Sequence, residues 1–232
     1  MCGVVGYVPS DDPNPLNQTR FRNLMKQSQI RGMHAWGYCQ HQGDLFINRH
    51  KATRVDSLFP LLDEIPFFPE FPGIGHTRYS TSGDWHDDMN NQPLYLEYIV
   101  FAFNGVVDMG TKAEMERKWG MLLDSGNDGE LAVKLAEWDR LELKPGYNRI
   151  PAIPGTFAGV WLTREGNMYV ARNEYRPLWN LGTEDGSHWI ASTADIFARA
   201  GFNQTPEPIE PDIVHPVYSA NPVIPRELWP SV

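Results

Sequence analysis

Position 2 carries the most reactive side chain in the sequence. The chain opens "MCGVVGYV", with Cys2 directly behind Met1 and an apolar run after it. A thiol attacks only as thiolate, and an unperturbed cysteine has a pKa of about 8.5, so a base must take the proton. If Met1 is removed, Cys2 supplies that base itself. A free α-amine has a pKa of roughly 7.7 to 8.0, close enough to neutral to accept a proton and return it. Cytoplasmic processing tends to remove an initiator Met when the second side chain is as small as Cys. The plainer alternative is a small residue that happens to begin a first strand. Other chemistries lack their residues. HExxH is absent, and "DWHDDMNN" has acids and a His without the ligand spacing of an EF-hand loop, so no metal site is expected. "GVVG" has neither a Walker lysine nor GxGxxG, so no phosphate loop is expected either. Cys39, in "AWGYCQ", reads as a buried strand thiol.

The bulk of the chain suits a globular enzyme. Its 232 residues are 41% hydrophobic, enough for one sizeable core. The net charge of -9 repels phosphate backbones, which argues against nucleic acid as a partner. Two cysteines cannot form a disulfide framework. The apolar runs fall short of the roughly 20 residues that span a bilayer, and no secretory leader is evident, so no membrane partner is expected. These features together point to a reducing, cytoplasmic setting.

The elements that must position Cys2 follow from periodicity. "GVVGYV" reads as a buried strand. Phe21, Leu24, Met25 and Ile30 recur at helical spacing from Thr19 onward. "WGYCQH" and "QGDLFIN" read as a hairpin across Gln42-Gly43, and "VDSLFPLLDEI" as a helix weakened by Pro60. "FPGIGHTRYSTSG" suits a strand running into a functional loop. "LEYIVFAFNGVVD" reads as a strand run interrupted at Asn104-Gly105. Thr111 and Glu114 form a capping-box signature, and "DGELAVKLAEWDRL" is a helix with Leu131, Leu135 and Trp138 on one face. "GTFAGVWLT", "NMYVAR" and "HWIAST" alternate as antiparallel strands, and "ADIFARAGF" follows as a short helix. Hairpin-linked strands and clustered helices predict an α+β fold. After Gly201 the texture becomes proline-rich, with scattered apolar residues such as Ile209, Val214 and Trp229.

Several segments, in order, carry a family resemblance. "MCGVVGY", "IRGMHAWGY", "GIGHTRYSTSG", "FAFNGVVDM", "SGNDGELAVKLAE", "MYVARNEYRPLW" and "WIASTADIFARAGF" resemble the successive motifs of class II glutamine amidotransferases, glutaminase domains of the N-terminal nucleophile hydrolase superfamily. The resemblance covers residues 2–202 and leaves 203–232 as a C-terminal extension. It implies a four-layer αββα sandwich of two antiparallel sheets. It also implies hydrolysis of the side-chain amide of L-glutamine through a Cys2 thioester, with no cofactor.

Carried over residue by residue, the resemblance makes Cys2 the nucleophile and its α-amine the general acid/base. Asn104 (side-chain amide) and Gly105 (backbone N–H) would form the oxyanion hole. Arg78 would bind the substrate carboxylate with help from Thr81, Asp128 would take the ammonium, and Arg31 would hold the Cys2 region in place. An Arg fork suits a carboxylate and an Asp suits an ammonium, so the amide carbon is set at a fixed distance from both. Each residue also has a plainer reading. Asp128 is placed to cap a helix, Arg78 to form a surface ion pair, Asn104-Gly105 to make a turn, and His76 to sit in the core. Tyr79, Ser82, Phe103 and Gly129 depart from the family's usual residues. The chain is expected to act as a free-standing glutaminase subunit that delivers ammonia to a separately encoded synthase. The alternatives are a self-sufficient hydrolase of a γ-glutamyl compound and a non-catalytic glutamine-binding module.

Overall fold

A computed structural model describes residues 1–43, 45–52, 66–107, 110–141, 150 and 153–218. The expected helix over "VDSLFPLLDEI" and the last fourteen residues of the extension (219–232) lie outside the described residues. Two antiparallel sheets are present. The larger has the order β11-β9-β10-β1-β4-β2-β3 and the smaller β12-β8-β7-β6-β5. In the first sheet β1 (Gly3–Val8) is central, between β4 (Gly73–Arg78) and β10 (His188–Ala191). The hairpin β2 (Ala35–Gln42) and β3 (Leu45–Ala52) extends it on one side, and β9 (Trp179–Gly182) on the other. In the second sheet β6 (Ile99–Val107) lies between β5 (Leu94–Tyr95) and β7 (Gly155–Thr163), with β8 (Met168–Arg172) beyond.

Strand alternation sorts the side chains into three cores. Val4 and Val8 of β1, Val100 and Ala102 of β6 and Val160 of β7 meet between the sheets. The opposite face of β1, through Val5 and Tyr7, packs on α1 (Asn17–Ser28) and α4 (Ala194–Arg199) with Phe21, Leu24, Met25, Ile196 and Phe197. Phe101 and Phe103 of β6 pack on α3 (Gly129–Leu141) through Leu131 and Leu135. The result is the αββα order of layers. Each large apolar side chain buried this way contributes about 1.5–3 kcal/mol, and Phe21, Leu24 and Leu131 are at most 1% exposed. Trp138 departs from the expected apolar face of α3 and is 40% exposed.

Three local readings meet the structure in detail. α2 (Lys112–Trp119) begins with the Thr111–Glu114 capping box and ends at Gly120, which adopts the left-handed conformation suited to a helix end. The strand through Asn104-Gly105 is not interrupted. Asn104 pairs with Ala158 and Gly105 with Phe157, so this pair continues the ladder and makes no turn. The extension past residue 202 adds β11 (Glu207–Pro208) to the edge of the first sheet and β12 (Val214–Tyr218) to the edge of the second. Among the described residues, no helix is long and apolar enough to cross a membrane.

Candidate active site

Parity on two strands places Cys2 and Asn104. Cys2 precedes Val4 by two residues and Asn104 follows Ala102 by two, so both side chains belong to the faces that meet between the sheets. They meet at one end of the sandwich. The backbone N–H of Cys2 donates to Asn104 Oδ1 at 3.1 Å. That bond fixes which end of the amide is which, since only the oxygen can accept. Asn104 Nδ2 is then a buried donor with no hydrogen-bond partner.

Gly105 supplies a second donor by the same alternation. On the edge of β6 that faces away from β7, Phe103 N–H donates to Gln92 Oε1 at 2.6 Å and Val107 N–H to Asp128 Oδ2 at 2.7 Å. Gly105 lies between them, so its N–H points to the same edge, into the cleft. A methyl group there would lie 2.0 Å from the Thr156 carbonyl oxygen, so only glycine fits.

Arg78 is the last residue of β4, and its guanidinium is 2% exposed at the residue level. Nη1 donates to Asn91 Oδ1 at 2.8 Å, and Nη2 donates to the carbonyls of Ser82 and Gly83. Burial lowers its pKa, opposed by the nearby Cys2 and Asp128, yet a guanidinium remains charged in proteins. Asp128 precedes α3 without capping it. The first helical N–H, of Gly129, goes instead to Asn127 Oδ1 at 2.9 Å. Asp128 is held by Ser82 Oγ at 2.7 Å and by the N–H of Val107. Its carboxylate retains lone pairs for a further donor.

Cys2, Arg78, Thr81, Gly105 and Asp128 line one narrow cleft, together with Tyr79, Ser82, Gln92, Phe103 and Asn127. Thr81 is an exposed residue at its mouth. Arg31 stands behind the cleft, where its Nε donates to the Cys2 carbonyl at 2.8 Å. The Cys2 thiol is 9% exposed and lies 3.5 Å from the Tyr79 carbonyl. Burial pushes its pKa up, partly offset by that contact and by Arg78. The resting sulfur is therefore a thiol and requires a base. His76 is not that base. It is fully buried, its Nε2 meets the Phe103 carbonyl at 2.9 Å, and burial takes its pKa down to about 3.

Sequence reading passed over the residues that hold these groups in place. Asn91 holds Arg78, Gln92 holds the backbone of Phe103, and Ser82 holds Asp128. Glu130 accepts from the N–H groups of Asp124 and Ser125, at 2.7 and 2.6 Å, and so braces the turn before Asp128. Ser82, Asn91 and Gln92 lie in polar loop sequence and Glu130 in the first turn of α3, where the only signal is that side chains outnumber obvious uses.

Comparison with known proteins bears on this geometry. No family model matches the chain. It is 29% identical over 209 residues to a glutamine–fructose-6-phosphate aminotransferase (isomerizing) of Thermococcus kodakarensis, covering 85% of this chain and 33% of that protein. It is 27% identical over 201 residues to the protein of the same name from Staphylococcus aureus, covering 84% and 32%. The chain thus spans about a third of the length of these relatives. Among solved structures, glutamine phosphoribosylpyrophosphate amidotransferase from B. subtilis superposes with a TM-score of 0.68 at 21% identity, covering 90% of this chain and 46% of that one. A glutamine aminotransferase class-II domain protein from Silicibacter pomeroyi superposes with a TM-score of 0.57 at 13% identity, covering 95% and 100%. The chain shares its fold, two antiparallel sheets between helical layers, with these proteins. In sequence and in fold the chain is thus similar to glutamine amidotransferases, over the part of each that it covers.

Proposed function

We propose that the cleft hydrolyses the side-chain amide of L-glutamine to glutamate and ammonia through a thioester on Cys2. One observation carries this reading. The Cys2 nitrogen already bonds Asn104 Oδ1, which leaves Asn104 Nδ2 as a buried donor without a partner among the described residues. An unpaired buried amide costs about 1–3 kcal/mol, a cost that a bound oxyanion removes.

The steps follow from the groups present. Loss of Met1 turns the Cys2 nitrogen from a peptide nitrogen into an amine that remains beside Asn104. Arg78 receives the substrate carboxylate, Thr81 supports that end, and Asp128 receives the ammonium. The amine takes the thiol proton as sulfur attacks the amide carbon. Negative charge then moves onto the amide oxygen, where Asn104 Nδ2 and Gly105 N–H stabilise it, each by about 3–4 kcal/mol. The amine returns the proton to departing ammonia, and water cleaves the thioester to release glutamate. Arg31 keeps the Cys2 carbonyl, and with it the nitrogen, in register.

We further read the chain, over residues 2–202 with its extension to 232, as a glutaminase that passes ammonia to a separately encoded synthase in the cytoplasm. Its relatives are named for moving glutamine nitrogen to fructose-6-phosphate, and the match to a third of their length takes in about 85% of this chain. Intact mass after incubation with diazo-oxo-norleucine, a glutamine-like electrophile, tests the chemistry. The expected result is one adduct on Cys2 in protein that has lost Met1. Processed protein that takes no adduct would sink the reading. Glutamine turnover with and without cell extract tests the partner: a strong rise with extract supports it, and full turnover without extract opposes it.

A further inference from the structure

The loops that carry Arg78 and Asp128 touch backbone against backbone. A methyl group on Gly126 would lie 3.1 Å from the Cα of Gly83, and one on Gly83 would lie 2.7 Å from Asn90 Oδ1. Gly83 also has φ of 64°, a conformation that favours glycine. Close approach is thus built into both loops.

Asn90, 5% exposed, ties them together. Its Oδ1 accepts from the Gly126 N–H at 2.6 Å, and its Nδ2 donates to the Asp84 carbonyl at 2.9 Å. Its own carbonyl accepts from Asn127 Nδ2 at 2.7 Å. The residues on either side of these ties are the anchors' own supports: Asn91 holds Arg78, and Asn127 directly precedes Asp128. Asn90 itself is not among the residues that line the cleft.

Building on the reading of the cleft as a glutamine site, we propose that Asn90 is a positioning residue for specificity. It sets the separation between the Arg78 and Asp128 charges, so that the carboxylate and ammonium of one α-amino acid are recognised as a pair. A buried side chain with bonds to both loops resists their separation, and the glycine contact resists closer approach. A ligand with only one of the two charged groups is indifferent to that spacing. A ligand with both is not, because misplacing either anchor forfeits a charge-assisted hydrogen bond.

Two variants of the full chain, each with Met1 removed, test this. Asn90→Ala deletes the tie, and Gly126→Ala inserts a methyl group between the loops. Both are assayed on L-glutamine and on glutaramate, which has the same amide and carboxylate but no α-amine. In each variant KM for L-glutamine is expected to rise about tenfold with kcat within about threefold, while kcat/KM for glutaramate stays within about threefold. Equal losses on the two substrates, an unchanged KM for L-glutamine, or a fall confined to kcat would overturn the proposal. Gly126→Ala keeps the test decisive if Asn90→Ala does not fold. Failure of the unmodified protein to hydrolyse L-glutamine at all is a separate outcome that overturns the glutamine reading instead.

Discussion

At one end of the cleft, Cys2 adjoins a strand paired on both sides, by β4 and β10, and Asn104 lies within the continuous ladder of β6 with β7. At the other end, Arg78 stands where β4 gives way to a loop and Asp128 where a loop enters α3. The first end is positioned chiefly by the backbone ladders, with Gly105 admitting the Thr156 carbonyl and Arg31 holding the Cys2 carbonyl. The second is positioned by named side chains: Asn91 on Arg78, Ser82 on Asp128, Asn90 between the loops and Glu130 beneath the turn. On the function proposed above, the reacting atoms are fixed chiefly by the sheet, and the binding charges by a network that single substitutions can loosen. Chemistry and recognition should fail separately.

The largest expected effect is at the sheet end. Cys2→Ala should abolish turnover, with a loss of at least about 10⁴-fold in kcat, while denaturant unfolding shifts by no more than about 1 kcal/mol. A variant that kept measurable thioester formation would break the comparison at its root. Asn104→Ala should lower kcat about 10²- to 10³-fold with KM little changed, as expected for a donor used only in the transition state. At the loop end the signature reverses. Arg78→Ala should raise KM for L-glutamine about a hundredfold, the worth of about two charge-assisted hydrogen bonds. An unchanged KM would reassign the carboxylate site. The pH dependence of Cys2 alkylation is a smaller test. Because burial raises the thiol pKa, protein that retains Met1 should react slowly with iodoacetamide at pH 7 and still accelerate above pH 9. Processed protein should react about tenfold faster at pH 7, since the free amine lies within reach of the proton. Ser82→Ala should give the smallest effect, about fivefold in KM, from one hydrogen bond to Asp128 worth about 1 kcal/mol.

The same contrast explains what could be read from sequence. The strands around Cys2 were legible because "GVVGYV" and "YIVFAF" are continuous apolar runs rich in β-branched and aromatic residues, a local signal. α3 was legible from Leu131 and Leu135, and α2 from its capping box. Asn104-Gly105 misled as a break, since that dipeptide is common in hairpin turns. In the fold its glycine answers a tertiary demand, the approach of the Thr156 carbonyl. Asn90, Asn91 and Gln92 were illegible for a related reason. Each acts on a partner far along the chain, and polar loop residues show no period. β9 and β11 were missed because strands of four and two residues, close to prolines, give too little pattern to count.

The bond between the Cys2 nitrogen and Asn104 forms with Met1 still attached. On the reading offered here, the sandwich is already complete before that residue is lost. Removing Met1 would then turn one peptide nitrogen into an amine and change no part of the shape. The enzyme would be armed by a peptidase rather than by a conformational change, and the interval between synthesis and activity would be set by the speed of that one cut. Any tag fused ahead of Cys2 would leave a soundly folded but silent protein, a dormant form stored at no cost in folding free energy.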